Sequence, residues 1–134
     1  MGFTQPIAMP RSLVYRAEDL IGASLPEYRE TKSEETEDTL LYEITFAEEE
    51  REEVERALAE SGLFVSWEES VFRESFLRGS FEGCEYFLFL NCDTEEYNVS
   101  PEKNGTYRIF CIGYDRDTGA LLLKEFGCVF SDGA

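Results

Sequence analysis

The sequence of 134 residues contains no histidine. This absence removes the commonest general base, any serine or cysteine nucleophile activated by an imidazole, and the usual zinc–histidine sites. The glycine-rich phosphate-binding motifs Gly-x-Gly-x-x-Gly and Gly-x-x-x-x-Gly-Lys are missing as well. We therefore expect the protein not to be an enzyme, and we predict no catalytic residue, no cofactor and no metal site.

Long apolar runs are also missing. No stretch reaches the roughly eighteen apolar residues of a membrane span, and the N-terminus lacks the basic segment and apolar run of a signal peptide. These features predict a cytoplasmic protein with reduced thiols. Cys84, Cys92, Cys111 and Cys128 form no Cys-x-x-Cys pair and lie among apolar neighbours, so we expect them to pack as small hydrophobic residues.

Positive charge is scarce, because 12 Lys and Arg face 29 Asp and Glu, which gives a net charge of −17. Residues 27–60 hold fourteen acids and four bases, a net charge of −10. Such a surface repels nucleic acid and anionic membranes, which rely on basic side chains for binding. The natural partner is a basic protein surface. The alternative is that the acidity serves only solubility.

Apolar and aromatic residues are well represented, at 43% and 14% of the chain. That content exceeds what a disordered acidic segment carries and is enough to build one hydrophobic core. We expect a single domain over residues 1–134, in which residues 1–10 form an irregular N-terminal arm because they contain two prolines and little periodicity.

The N-terminal half predicts one short helix, one loop, one strand and one longer helix. Helical spacing of apolar residues begins at Ser12 and stops at Gly22 or Pro26. Residues 27–38 are almost wholly polar and predict an exposed acidic loop. Residues 39–46 alternate as a strand, and a capping box then predicts a helix over residues 46–60.

The C-terminal half predicts mainly strands. Residues 66–76 favour a helix, with a strand as the alternative, and the Asp115–Gly119 segment favours a tight hairpin turn rather than a calcium loop. The fold class is α+β, with an antiparallel sheet of four to five strands packed against the 46–60 helix. The predicted strands are 39–46, 63–66, 81–92, 106–114 and 120–130.

The leading functional hypothesis is an acidic interaction protein that inhibits or neutralises a basic, nucleic-acid-handling partner. Anti-defence proteins of the anti-CRISPR kind and immunity proteins against nucleases are the categories that fit. Residues 48–60 carry a net charge of −5, about one charge per 4 Å of helix, close to the roughly 3.4 Å per phosphate of a DNA strand. The predicted partner-binding residues are Glu34, Glu35, Glu37, Asp38, Glu48, Glu49, Glu52, Glu53 and Glu55.

Two further hypotheses belong to other functional classes. One is a small ligand-binding or enzymatic domain whose pocket lies between the sheet and the helices, lined by aromatic residues. The candidates for that lining are Trp67, Tyr86, Tyr107 and Tyr114. The other is an assembly subunit that associates through an uncovered edge or face of the sheet. The sequence favours the acidic interaction protein when the loop 27–38 and the helix 46–60 converge in space, and it favours a solubilising role when they diverge.

Overall fold

One antiparallel sheet of six strands forms the centre of the protein, as described by a computed structural model for residues 9–131. Its strand order is β1-β2-β6-β5-β3-β4. The strands are β1 (Tyr28–Glu35), β2 (Thr39–Phe46), β3 (Tyr86–Asn91), β4 (Glu96–Tyr97), β5 (Gly105–Asp115) and β6 (Ala120–Phe130). The helices are α1 (Ser12–Ile21), α2 (Arg51–Ser61) and the single-turn α3 (Arg78–Phe81).

The hairpin of β5 and β6 is the longest element of the sheet. Its register runs from Gly105 opposite Phe130 to Asp115 opposite Ala120. Gly119 closes the turn with a φ of 72°, in the left-handed region that glycine enters without steric cost. The predicted hairpin turn is therefore confirmed, and β2 adds antiparallel to the free side of β6.

Both faces of the sheet are covered, and strand β3 shows this most clearly. Leu88 and Leu90 join a cluster with α1 and α2, which we call the helix face. Phe87 and Phe89 join a second cluster on the opposite face, where the irregular segment 63–85 covers the sheet. A strand buried on both sides reads as an uninterrupted apolar run, as the sequence of β3 does.

The two longer helices form where the sequence predicts them. Helix α1 buries Leu13, Val14, Ala17 and Ile21, and α2 buries Val54 and Leu58. Both end at a glycine in the left-handed conformation, at Gly22 and Gly62. The short N-terminal helix and the helix packed on the sheet are confirmed.

The start of α2 differs from the prediction. A turn of 3₁₀ helix over Glu48–Glu50 precedes α2, and no side chain caps either start. The expected capping box fails because Thr45 lies in β2, where its hydroxyl meets that of Thr31 at 3.2 Å. The glutamates of this first turn still lie at the positive end of the helix dipole.

The segment 27–38 is the main correction to the predicted fold. Most of it is strand β1, which together with the two-residue β4 makes the sheet six-stranded instead of four- or five-stranded. All eight residues of β1 are exposed, so the predicted exposure of this segment holds while the predicted loop conformation is wrong. Strand β1 lacks an apolar alternation because, apart from the ring of Tyr28 against Phe46 at its start, its side chains face solvent.

The region between α2 and β3 is less regular than predicted. The expected strand 63–66 is reduced to a single bridge between Val65 and Phe87. The expected helix 66–76 contains only a 3₁₀ turn, Trp67–Glu69. The expected strand 81–92 starts at Tyr86, because α3 and a left-handed residue, Gly83 with a φ of 87°, precede it.

None of the helices between residues 9 and 131 combines the length and apolar character that crossing a membrane requires. The predicted N-terminal arm at residues 1–10 lies outside the described residues, apart from Met9 and Pro10.

Candidate protein-interaction surface

Strand β1 forms one edge of the sheet and pairs only with β2. Its sequence is Tyr-Arg-Glu-Thr-Lys-Ser-Glu-Glu, and every side chain is exposed. A bulge at Thr31 shifts the register between Glu30 and Lys32. The threonine hydroxyl donates to the Glu43 carboxylate at 2.8 Å. The backbone ladder, these few polar contacts and the ring of Tyr28 against Phe46 therefore hold β1 in place, since none of its side chains is fully buried.

The predicted partner-binding residues fall into two groups at opposite ends of β2. The first group borders the turn between β1 and β2, and the second lies in the 3₁₀ turn and α2, which follow β2. Seven residue steps of β2 separate the groups by about 24 Å. The first group comprises Glu34, Glu35, Glu37 and Asp38, and the second comprises Glu48, Glu49, Glu52, Glu53 and Glu55. The two groups do not converge into one compact patch.

A groove nevertheless lies between the start of β1 and Glu49, one residue of the second group. Its volume is about 420 Å³, and its walls include Glu27 and Arg29 at the β1 end and Glu49, Glu50 and Arg51 at the helix start. Strand β1 then runs from this groove to the turn at residues 36–38. We call the continuous surface made by the start of α2 with its 3₁₀ turn (residues 48–55), strand β1 and the turn 36–38 the acidic edge.

Three of the nine predicted residues form ion pairs within the protein. Asp38 meets the Arg108 guanidinium at 3.3 Å, Glu55 meets that of Arg116 at 2.8 Å, and Glu34 lies 3.7 Å from Lys32. The other six are exposed and form no ion pair with another residue between 9 and 131. These six are Glu35, Glu37, Glu48, Glu49, Glu52 and Glu53.

A network of charges anchors the turn end of the acidic edge. Arg108 on β5 donates through Nε to Glu125 at 2.9 Å and through Nη1 to the carbonyl of Asp38 at 3.0 Å. Arg16 of α1 pairs with the other carboxylate oxygen of Glu125. Asp38 therefore has a structural role, whatever else it contacts. Sequence reasoning could not separate it from Glu37, because the network depends on strands distant in sequence.

Tyrosines lie beside the acidic edge on the helix face, and sequence reasoning missed them. Burial and, to a smaller extent, a hydrogen bond with Glu30 together raise the pKa of Tyr42 to about 12. Burial also raises the pKa of Tyr28, with smaller increases from the nearby Tyr15 and Glu18. Tyr15 and Tyr28 are 68% and 39% exposed. Exposed tyrosine rings among carboxylates are suited to contact cationic side chains.

Three carboxylates cluster at the turn of the β5–β6 hairpin. Ligand oxygens of Glu85, Asp115 and Asp117 all lie within 4.8 Å of one another. Glu85 accepts the backbone N–H of Arg116 at 3.1 Å, and Asp115 accepts that of Asp117 at 2.9 Å. The cluster has the ligand type of a cation site, but these bonds already give two of its carboxylates a role in the turn.

The aromatic residues considered as a pocket lining are largely core. Trp67 and Tyr114 are 2% and 0% exposed, on opposite faces of the sheet. Tyr86 and Tyr107 are partly buried against the two clusters. The four side chains therefore do not line one shared cavity.

The four cysteines are free thiols. Cys84 and Cys111 are buried, and burial raises the pKa of Cys84 to about 12 and raises that of Cys111. Cys92 and Cys128 are partly buried. A thiol with a raised pKa is a poor nucleophile at neutral pH, in keeping with packing roles for the two buried cysteines.

The sequence matches no family model, no curated protein and no solved structure at a significant level.

Proposed function

We propose that the protein is an acidic interaction module whose acidic edge binds a basic protein surface and thereby inhibits or neutralises a nucleic-acid-handling partner. One observation carries the proposal: an eight-residue strand of exposed residues, most of them charged, runs from the acids at its turn end to the groove beside Glu49, in the 3₁₀ turn before α2. The partner classes are those expected from the sequence, a nuclease or an anti-CRISPR-type target.

The charge distribution supports a binding role for the acidic edge. Residues 27–60 hold a net charge of −10, more than half of the total of −17. Six of the nine predicted residues make no ion pair with another described residue, so no cation of the described residues neutralises their charge. Like charges concentrated on one edge repel one another and steer a basic partner toward that edge.

The length of the acidic edge suits an extended partner surface better than a small ligand. Its two groups are separated by about 24 Å along β2. A partner that covers both groups needs basic residues spread over a comparable distance, as the nucleic-acid channel of an enzyme provides. A solubilising role remains the alternative. The separation of the two groups favours it, and it predicts that the position of the acids is unimportant.

An affinity capture from the native host tests the proposal. The protein is immobilised and used to collect partners at about 50 mM and about 500 mM salt, because electrostatic capture fades as salt screens the charges. We expect a basic nucleic-acid-binding protein at low salt. Replacing Glu49, Glu52 and Glu53 with Lys is expected to abolish its capture.

A matched control separates position from total charge. Glu95, Glu96 and Glu102 are exposed residues around β4, at the opposite edge of the sheet. Replacing all three with Lys changes the net charge by the same amount as the first variant. The proposal fails when both variants capture the partner equally, whether both capture it at the wild-type level or neither captures it. The position of the acids on the surface then has no influence on binding.

A further inference from the structure

We propose that the partner engages strand β1 by adding an extended basic segment as a seventh strand of the sheet. This inference rests on the proposed function and specifies the way in which the same edge is used. Strand addition to an open edge joins the two chains through main-chain hydrogen bonds, while alternate side chains determine specificity.

The backbone of β1 is available for such pairing. Strand β1 stands at the end of the strand order and pairs on one side only. The Thr36 N–H donates to the Thr39 carbonyl at 2.8 Å at the turn, which fixes the phase of the ladder. Because residues of an antiparallel ladder alternate between pairing inward and pairing outward, Glu35 and Ser33 direct their N–H and C=O groups away from β2.

The charges on the helix face of this strand favour a basic strand, whereas the two cations of β1, Arg29 and Lys32, lie on the opposite face. In the register with β2, Glu30 and Glu35 lie opposite Ile44 and Leu40, which are buried on the helix face. The side chains of Glu30 and Glu35 therefore project from that face, where Tyr28 and Tyr15 also lie exposed. Lysine or arginine side chains on one face of an added strand meet both carboxylates and aromatic rings there.

The same charges disfavour the other occupants of an open edge. A second copy of the chain carries the same net charge of −17, so two copies repel each other overall. An apolar strand would find a single aromatic side chain, Tyr28, on β1, where all eight residues are exposed and most are charged. Natural edge strands often carry charges and bulges that prevent unwanted pairing. Here those features block acidic and apolar strands while leaving a basic strand favoured.

A designed peptide of five Lys-Thr repeats, labelled with fluorescein, is the probe. Binding is measured by fluorescence anisotropy at low salt, and amide hydrogen exchange is followed on the protein. We expect binding with a Kd below about 1 mM and slower exchange of the Ser33 and Glu35 amides. Binding without that protection, or no binding to the folded protein, overturns the proposal.

Two changes to the backbone sharpen the test. Ser33→Pro removes an outward N–H, which proline tolerates best on an edge strand, and Ser33→Thr is its control. Two further peptides carry N-methyl groups on alternate residues, one peptide along each of its two hydrogen-bonding edges. The methyl groups remove N–H donors of the peptide without altering the protein. We expect the proline variant, and the peptide methylated on its pairing edge, to bind at least about tenfold more weakly.

A charge variant distinguishes failure of this inference from failure of the proposed function. Glu30→Lys combined with Glu35→Lys is expected to abolish binding. In one outcome, the charge variant binds the peptide more weakly, whereas Ser33→Pro and both methylated peptides bind as before. That outcome overturns strand addition and leaves the electrostatic contact supported. Unchanged binding of the charge variant overturns the electrostatic basis of the proposed function itself.

Discussion

The two edges of the sheet are built in opposite ways. At one edge, which we call the closed edge, β3 is buried on both faces and its outer backbone groups have partners at three successive points. Val65 pairs with Phe87, and Asn98 bonds the N–H and C=O of Phe89. Strand β4 pairs with Leu90 and Asn91. At the other edge, which we call the open edge, β1 is exposed throughout and nothing among residues 9–131 pairs with its outer side.

This difference separates stability from recognition within one sheet. Strand β3 joins both hydrophobic clusters, so its side chains contribute to the free energy of folding. Strand β1 joins neither cluster, and its exposed side chains are accessible to a partner. Strand β1 also shields β2, whose apolar residues would otherwise form an edge prone to aggregation.

The largest expected effect lies at the closed edge. Phe89 is fully buried and packs against the ring of Phe72 at a centroid distance of 3.9 Å. We expect Phe89→Ala to lower the free energy of unfolding by about 3–5 kcal/mol. The matched change on β1, Ser33→Ala, should alter it by no more than about 0.5 kcal/mol. Urea unfolding measures both, and equal losses would contradict the comparison.

A smaller loss is expected where the segment 63–85 covers the sheet. A Cβ atom at Gly113 would lie 2.4 Å from Cδ1 of Phe81 and 2.9 Å from Sγ of Cys84. We expect Gly113→Ala to lower the free energy of unfolding by about 1–3 kcal/mol, because the buried ring has to move. Gly79→Ala is the control, since nothing lies within 4 Å of its added Cβ. A neutral Gly113→Ala would mean that this cover is loosely packed.

The anchoring of the open edge predicts a smaller loss still. Arg108→Ala removes the bonds to Glu125 and to the carbonyl of Asp38. Because Arg16 remains paired with Glu125, we expect a loss of about 1–2 kcal/mol in the free energy of unfolding. Hydrogen exchange should quicken around the turn 36–38 in this variant. Unchanged exchange there would show that the turn does not depend on Arg108.

The smallest effect at neutral pH concerns the buried Tyr114 hydroxyl. Tyr114 is fully buried and its hydroxyl has no hydrogen-bond partner among the described residues. Tyr114→Phe should therefore change the free energy of unfolding by less than about 1 kcal/mol at pH 7, or increase it. Tyr28→Phe on β1 is the exposed counterpart. A large loss from Tyr114→Phe would mean that the hydroxyl is satisfied in solution.

At alkaline pH, the buried Tyr114 is expected to reduce the stability of the protein. Burial raises the pKa of Tyr114 to about 12, above its ordinary value of 10.0. The folded state therefore favours the neutral phenol, and this contribution to stability is complete below pH 10 and is lost as the pH rises toward 12. We expect Tyr114→Phe to lose less stability than the wild type between pH 10 and pH 12. Urea unfolding at about pH 7 and about pH 11 tests this.

The sequence predicted the elements whose side chains face a core. Strand β2 alternates, β5 and β6 flank a recognisable turn, and α2 ends at Gly62, so each was found close to its actual bounds. Strand β1 carries no such signal, because its pairing with β2 uses the backbone and its side chains face solvent. Strand β4 has two residues, and the segment 63–85 follows the contours of the core without a regular period.

The candidate site was predictable in composition and not in arrangement. The acids of residues 34–38 and 48–55 are visible in the sequence, but their separation along β2 follows from the pairing of β1. The internal ion pairs of Asp38 and Glu55 follow from Arg108 and Arg116, which are far along the chain. Tyr15 lies near Tyr28 of β1 because α1 docks beside the start of that strand.

The most direct test of the account compares the affinity of the captured partner for two matched variants. One carries Glu34→Lys, Glu35→Lys and Glu37→Lys at the open edge, and the other carries Glu95→Lys, Glu96→Lys and Glu102→Lys at the closed edge. The account predicts a Kd raised at least about a hundredfold by the first variant and changed less than about threefold by the second. Equal effects of the two variants, measured by calorimetry on folded proteins, would contradict it.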